Sequence, residues 1–238
     1  GVSYAALTPN LKGYEAARAA KADEVAVFAS ASEGFSRANI NCSIDESFER
    51  FAPILEAARK DAIPVRGYVS CVVRCPYDGP VAPAAVARVA ARLIDMGCYE
   101  VSLGDTIGAG TPETVAAMLD AVLQAVPAAK LAGHFHDTHG RALDNIDVCL
   151  ERGLRVFDSS VGGLGGCPFA PGARGNVDTV AVARLLHKRG HATGLDEAKP
   201  LPAQGADVVG RVEREAQRAE VGPTPSIGSL RVGDSRLW

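Results

Sequence analysis

With 238 residues, 47% apolar side chains and a net charge of −3, the chain suffices for one sizeable core and lacks the basic balance of a general nucleic-acid binder. Aromatics make up only 5%, so that core is built mostly from Ala, Val and Leu. No basic stripe and no apolar run of membrane-spanning length occurs, so neither nucleic acid nor membrane is expected as a partner.

Short β-rich runs alternate with longer helical ones along the chain. Strands are expected at Val2–Leu7, Glu24–Ser30, Pro64–Ser70, Tyr99–Gly104, Leu131–His136 and Arg155–Ser160. Helices fit at Leu11–Ala20, Ile44–Asp61, Pro83–Met96, Pro112–Val126, Leu143–Arg152 and Val177–Arg189. Ser43 and Glu46 form a capping-box pattern, Pro83 and Pro112 suit first-turn positions, and Gly97 and Gly153 fall where helices should stop. Pro53 lies inside its helix and is expected to bend or split it. From His191 the pattern decays, and prolines break up the remainder apart from a short charged helix at Ala206–Ala219. Residues 1–194 are therefore expected to form the domain, and residues 195–238 an atypical, weakly packed tail.

This is about six βα units of roughly thirty residues, where a (β/α)8 barrel has eight units in about 250 residues. An incomplete TIM barrel short of two units is expected, which leaves two open sheet edges. A doubly wound open sheet also suits the strand count, but no Gly-x-Gly-x-x-Gly follows the first strand. The six cysteines (Cys42, Cys71, Cys75, Cys98, Cys149 and Cys167) show no paired zinc-site spacing. No signal peptide accompanies them, so reduced thiols in a cytoplasmic compartment are expected, with a mitochondrial matrix as the other possibility.

Candidate chemistry gathers at strand ends. Side chains two apart on a strand point the same way, so His134 and His136 project together and make half of a divalent-metal site. A hydrogen-bonded polar strand end gives the same pattern. Asp137 alternates away from the pair and suits support of a ligand rather than ligation. Asp105 ends a strand and is placed to orient a ligand or share in proton transfer; a plain strand-end carboxylate is the other reading. The run from Gly162 to Gly175 is rich in glycine, which lets a loop close over a substrate and carry the Cys167 thiol toward it. Asn176 suits either a ligand or a cap for a helix beginning at Val177. Asn39 and Asn41 are expected in a loop that touches substrate, and His139, His187 and His191 at surface or structural positions.

Ser102-Leu103-Gly104-Asp105-Thr106-Ile107-Gly108, His134-x-His136-Asp137-Thr138 and Gly163-Leu164-Gly165-Gly166-Cys167-Pro168 closely resemble the hydroxymethylglutaryl-CoA lyases, a family of metal-dependent TIM-barrel lyases. Asn39-Ile40-Asn41-Cys42-Ser43 and Arg66-Gly67-Tyr68-Val69-Ser70-Cys71 are similar to the same family, and the likeness spans Val2 to Gly194. The resemblance implies cleavage of 3-hydroxy-3-methylglutaryl-CoA to acetyl-CoA and acetoacetate. It implies an Mg²⁺ or Mn²⁺ ion on His134, His136 and Asn176, and Cys167 as a catalytic thiol. An acyl-CoA substrate, rather than a CoA cofactor, and a homodimer are expected with it. The family's further metal ligand, an Asp in an Arg-Asp-Gly first strand, has no counterpart here, so the resemblance implies that the two missing units are the first two of the barrel. Two other readings stand beside the lyase. One is a related metal-dependent aldolase or Claisen-type synthase; the other is an inactive fragment acting only as a packing partner.

Overall fold

The computed structural model describes residues 3–165 and 175–195, together with the backbone of residues 228–231. The elements follow in the order β1 (Ala5–Leu7), α1 (Leu11–Ala19), β2 (Glu24–Ser30), α2 (Glu33–Ile40), α3 (Ile44–Lys60) and β3 (Val65–Ser70). A short antiparallel pair, β4 (Arg74–Cys75) and β5 (Gly79–Pro80), precedes α4 (Pro83–Asp95), β6 (Glu100–Asp105) and α5 (Pro112–Val122). The chain continues through β7 (Leu131–Phe135), α6 (Ala142–Glu151), β8 (Val156–Ser159), α7 (Thr179–Lys188) and β9 (Gly228–Arg231).

One sheet runs in the order β1-β2-β3-β6-β7-β8-β9 and curls into part of a barrel. Pairing is parallel from β1 to β8, as βα units require. Among the described residues the sheet does not close, and β1 stands at one edge. The edge at β8 is not open as expected. β9, from the tail, pairs antiparallel with it, Val156 opposite Arg231 and Ser159 opposite Gly228. The backbone donors and acceptors of β8 thereby find partners that an edge strand lacks.

Local chemistry sets the helix bounds. Ser43 and Glu46 form the reciprocal capping box of α3, with Glu46 N–H donating to Ser43 Oγ at 3.1 Å and Ser43 N–H to Glu46 Oε2 at 2.7 Å. Pro83 and Pro112 open their helices, and Gly97 and Gly153 follow theirs with φ of 109° and 91°. Pro53 does not split α3, which runs unbroken through it. The lost backbone bond is outweighed by a buried stripe of Phe48, Phe51, Ile54, Leu55 and Ala58 that holds the helix on the core. Asn39 is not in a loop: it lies exposed on α2, a helix not foreseen from the sequence. Ser32 caps the start of α2, and Asn41 ends it in the left-handed region at φ 52°.

The two sheet faces differ sharply. In register, one face carries Val25, Val27 and Ala29, then Val65, Gly67 and Val69, then Val101 and Leu103, then Leu131, Gly133 and Phe135, then Phe157. These pack with Leu93, Met118, Leu119 and Ile146 of the helices in the main core. Each fully buried large apolar side chain contributes roughly 1.5–3 kcal/mol by leaving water. The other face of the same strands presents Arg66, Tyr68, Glu100, Ser102, His134 and Asp158. That polar inner face holds the site.

Candidate metal and active site

His134 lies on β7 and His136 one residue past it, both nearly buried at 9% and 8% exposure, with ring centroids 5.4 Å apart. The expected pairing of the two imidazoles is therefore realised. The neighbour of His134 in register on β6 is Gly104, where an added Cβ would stand 3.1 Å from the Val69 carbonyl, tighter than ordinary contact, and 3.9 Å from the imidazole, an ordinary one. Tyr68 meets the same ring edge-on with centroids 6.2 Å apart.

Behind His134 is a buried polar network that the sequence reading did not identify. Arg66 Nε donates to Glu100 Oε1 at 2.9 Å, and its Nη1 donates to Asp158 Oδ1 at 2.8 Å and to the Tyr68 hydroxyl at 2.6 Å. Ser102 Oγ donates to Asp158 Oδ2 at 2.8 Å, and His134 Nδ1 lies 3.2 Å from the same oxygen. Burial works against the Arg66 charge, but Asp158, Tyr68 and Glu100 outweigh it and raise its pKa above the ordinary value. The signal was present in the sequence: parallel strands covered on both faces read as continuous apolar runs, so Arg66 and Asp158 inside such strands mark a functional interior.

Residues 175–177 run back along the end of β7. Asp137 N–H donates to the Gly175 carbonyl at 2.9 Å, Val177 N–H donates to that of Phe135 at 3.2 Å, and Asn176 bridges His136. Asn176 is thus brought beside the histidine pair from far along the chain. Its Nδ2 donates to the Leu164 carbonyl at 3.0 Å, which leaves its carboxamide oxygen as an acceptor. Gly165, at φ 92°, makes this approach possible, since a Cβ there would fall 2.8 Å from Nδ2. Asn176 does not cap α7: the helix starts at Thr179, and Asp178 Oδ2 accepts from Ala181 N–H at 3.0 Å.

Asp105 is fully buried on the opposite sheet face from His134, its carboxylate accepting from Ala109 N–H at 3.1 Å and Gly110 N–H at 2.8 Å. Burial pushes its pKa up, against the lowering effect of those two backbone donors. Asp137 Oδ1 accepts from Ala142 N–H at 3.1 Å and fixes the turn into α6. Cys167 lies outside the described residues.

The donor set suits a divalent cation in part. His136 Nδ1 is buried without a hydrogen-bond partner, a state that costs roughly 1–3 kcal/mol unless something occupies it. Burial, then the neighbouring His134, push the His136 pKa down from 6.5 to about 4, so it stays neutral and able to donate a lone pair near pH 7. Two imidazoles and a carboxamide oxygen form a mixed neutral shell of the kind Mg²⁺, Mn²⁺ or Zn²⁺ accepts. Among the described residues no cluster of three or more His, Cys, Asp or Glu is assembled for a metal. The third member here is an amide, and the nearby carboxylates Asp105 and Asp158 are engaged elsewhere.

Comparison with known proteins agrees with this geometry. The HMGL-like family profile matches residues 3–204. The chain is 61% identical over 196 residues to the hydroxymethylglutaryl-CoA lyase of Pseudomonas mevalonii, covering 82% of this chain and 65% of that protein. It is 58% identical over 202 residues to the cytoplasmic 3-hydroxy-3-methylglutaryl-CoA lyase of Danio rerio, covering 85% of this chain and 60% of the relative. The chain thus spans somewhat less than two thirds of the length of these two relatives. The crystal structure of the HMG-CoA lyase from Brucella melitensis superposes with a TM-score of 0.81 at 70% identity, over 83% of this chain and 70% of that one. The chain belongs to the HMGL-like family and has part of its TIM-barrel fold.

Proposed function

We propose that this chain carries the carboxyl-end rim of a hydroxymethylglutaryl-CoA lyase, which splits 3-hydroxy-3-methylglutaryl-CoA into acetyl-CoA and acetoacetate with a divalent cation, Mg²⁺ or Mn²⁺. The observation that carries it is the meeting of His134, His136 and Asn176 at one end of β7, in a chain 61% identical to a protein of that name.

The reaction removes the proton of the tertiary hydroxyl and breaks the carbon–carbon bond next to it. The bonding pair passes into a thioester enolate, whose carbon then takes a proton to give acetyl-CoA, while the hydroxyl carbon becomes the ketone of acetoacetate. A bound cation supplies charge neutralisation at the hydroxyl oxygen as its proton leaves. His134 and His136, with the Asn176 carboxamide, would hold that cation. With Nδ1 facing Asp158, the Nε2 lone pair of His134 serves one role at a time: it holds the cation, or, where the cation rests on His136 and Asn176, it takes the hydroxyl proton. The Cys167 thiol, set in its glycine-rich run, is proposed to protonate the enolate carbon. Asp105 grips the β6–α5 loop through Ala109 and Gly110 and acts as a positioning residue for the rim. Asn39, exposed on α2, is proposed to touch the substrate. A cytoplasmic homodimer is the accompanying proposal.

The test is direct. The purified chain with Mg²⁺ or Mn²⁺ is given 3-hydroxy-3-methylglutaryl-CoA, and acetoacetate and acetyl-CoA are measured. Equimolar release supports the lyase. Condensation of acetyl-CoA with a 2-oxoacid instead would show a Claisen-type synthase. A second reading, a chain that holds the cation weakly and turns over slowly, is favoured by the lack of an unengaged carboxylate beside the donor set among the described residues. Turnover near that of a full-length relative would exclude it.

A further inference from the structure

Asp158 lies in register with His134 on the neighbouring strand, 2% exposed, and its two oxygens have different partners. Oδ1 accepts from Arg66, while Oδ2 accepts from Ser102 Oγ and faces His134 Nδ1 at 3.2 Å. Both oxygens of Asp158 already act as acceptors, toward Arg66 and Ser102, so the ring nitrogen that faces Oδ2 is placed to donate. We propose that Asp158 is a positioning residue which, backed by Arg66 and Ser102, fixes His134 as the Nδ1–H tautomer and keeps Nε2 unprotonated. The use made of that nitrogen rests on the function proposed above, but either role there, holding a cation or taking the hydroxyl proton, one lone pair serving one at a time, needs the same tautomer.

The network adds a charge argument. Glu100 and Asp158 share one guanidinium, so the cluster carries a formal charge of about −1 lodged one hydrogen bond behind the imidazole. The proposed donors are all neutral, and this cluster places negative charge close to them without spending a ligand position on it. Carboxylate–histidine pairs of this kind fix ring orientation and strengthen the imidazole as a donor.

The experiment reads the tautomer itself. In the full chain, free of metal and labelled with ¹⁵N-histidine, two-bond ring correlations at mildly alkaline pH should show His134 protonated at Nδ1. In Asp158→Asn the amide oxygen is expected to stay with Arg66 and the NH₂ to turn toward the ring, which switches His134 to Nε2–H. Mn²⁺ affinity, followed by paramagnetic resonance, should then fall about tenfold to a hundredfold. Ser102→Ala keeps the carboxylate and should leave the tautomer unchanged, separating loss of the acceptor from loosened packing. An Nε2–H ring in the parent chain, or one indifferent to Asp158→Asn, would overturn the proposal. Should Asp158→Asn not fold, the parent and Ser102→Ala spectra still decide. An Nδ1–H ring in a parent chain that holds no Mn²⁺ would support the positioning role and overturn the metal reading instead.

Discussion

Replacing Arg66 by Met keeps most of the side-chain volume and removes the charge on which two buried carboxylates depend. The guanidinium lies 2.9 Å from Glu100 and 2.8 Å from Asp158, and all three side chains are at most 3% exposed. Near an effective dielectric constant of about 20, a pair of charges separated by about 4 Å gains roughly 4 kcal/mol. Relief of the guanidinium's own desolvation offsets part of that loss, and removal of one partner of a buried pair costs about 3–5 kcal/mol net. This is a large share of the roughly 5–15 kcal/mol that holds a typical domain together. The loss should depend on pH. Without Arg66, burial favours the neutral form of the two carboxyl groups, so the penalty is smaller where they are protonated and grows as pH rises. Urea unfolding followed by circular dichroism, in mildly acid and mildly alkaline buffer, measures both the loss and its slope. A destabilisation under about 1 kcal/mol, equal in the two buffers, would refute the reasoning.

Four further outcomes follow from single features. The His136 pKa is lowered from 6.5 to about 4, so the unfolded chain binds the proton first; stability present above 6.5 is lost as pH falls toward 4, by about 3 kcal/mol, and His136→Gln should flatten that slope in metal-free unfolding curves. Gly108 has φ of 64°, and a Cβ there would meet the His136 carbonyl oxygen at 2.7 Å; Gly108→Ala should cost at least about 1–2 kcal/mol from the left-handed backbone alone and displace His136, visible as a lower melting temperature with weaker Mn²⁺ binding. Ser43→Ala removes one half of a capping box and should cost about 1 kcal/mol in chemical unfolding without changing metal affinity. Burial pushes the Cys98 thiol up to about 12 and raises that of Cys149 as well, so neither should react with a thiol reagent until the chain is unfolded; labelling of either in the native chain would contradict the packing.

The strands were legible because each is a short β-rich run between turn residues, and strand formation in a parallel sheet depends on that local pattern. The helices with chemical punctuation, such as α3 with its capping box and α4 and α5 with their first-turn prolines, fell within a few residues of expectation. α2 was not legible, because Glu33–Ile40 is short and only weakly periodic, and its start depends on Ser32 meeting Phe35 N–H. At Pro53 the expected split does not occur for a different reason: local propensity argues for one, and the buried stripe of α3 overrides it. The pairing of β9 with β8 joins segments far apart in the chain and leaves no local trace. In the site, the His-x-His spacing announced the imidazole pair, but the network behind it required knowing which strands lie side by side. Arg66 and Asp158 are 92 residues apart and meet only across the inner face.

The claim on which the rest depends is that His134 and His136, with Asn176, surround one cation. Titrating the ¹⁵N-histidine-labelled chain with substoichiometric Mn²⁺ tests it, because paramagnetic broadening falls steeply with distance from the ion. The ring signals of His134 and His136 should disappear first, while those of His187 and His191 persist. Uniform broadening of all 5 histidines, or earlier loss of His187 or His191, would contradict it.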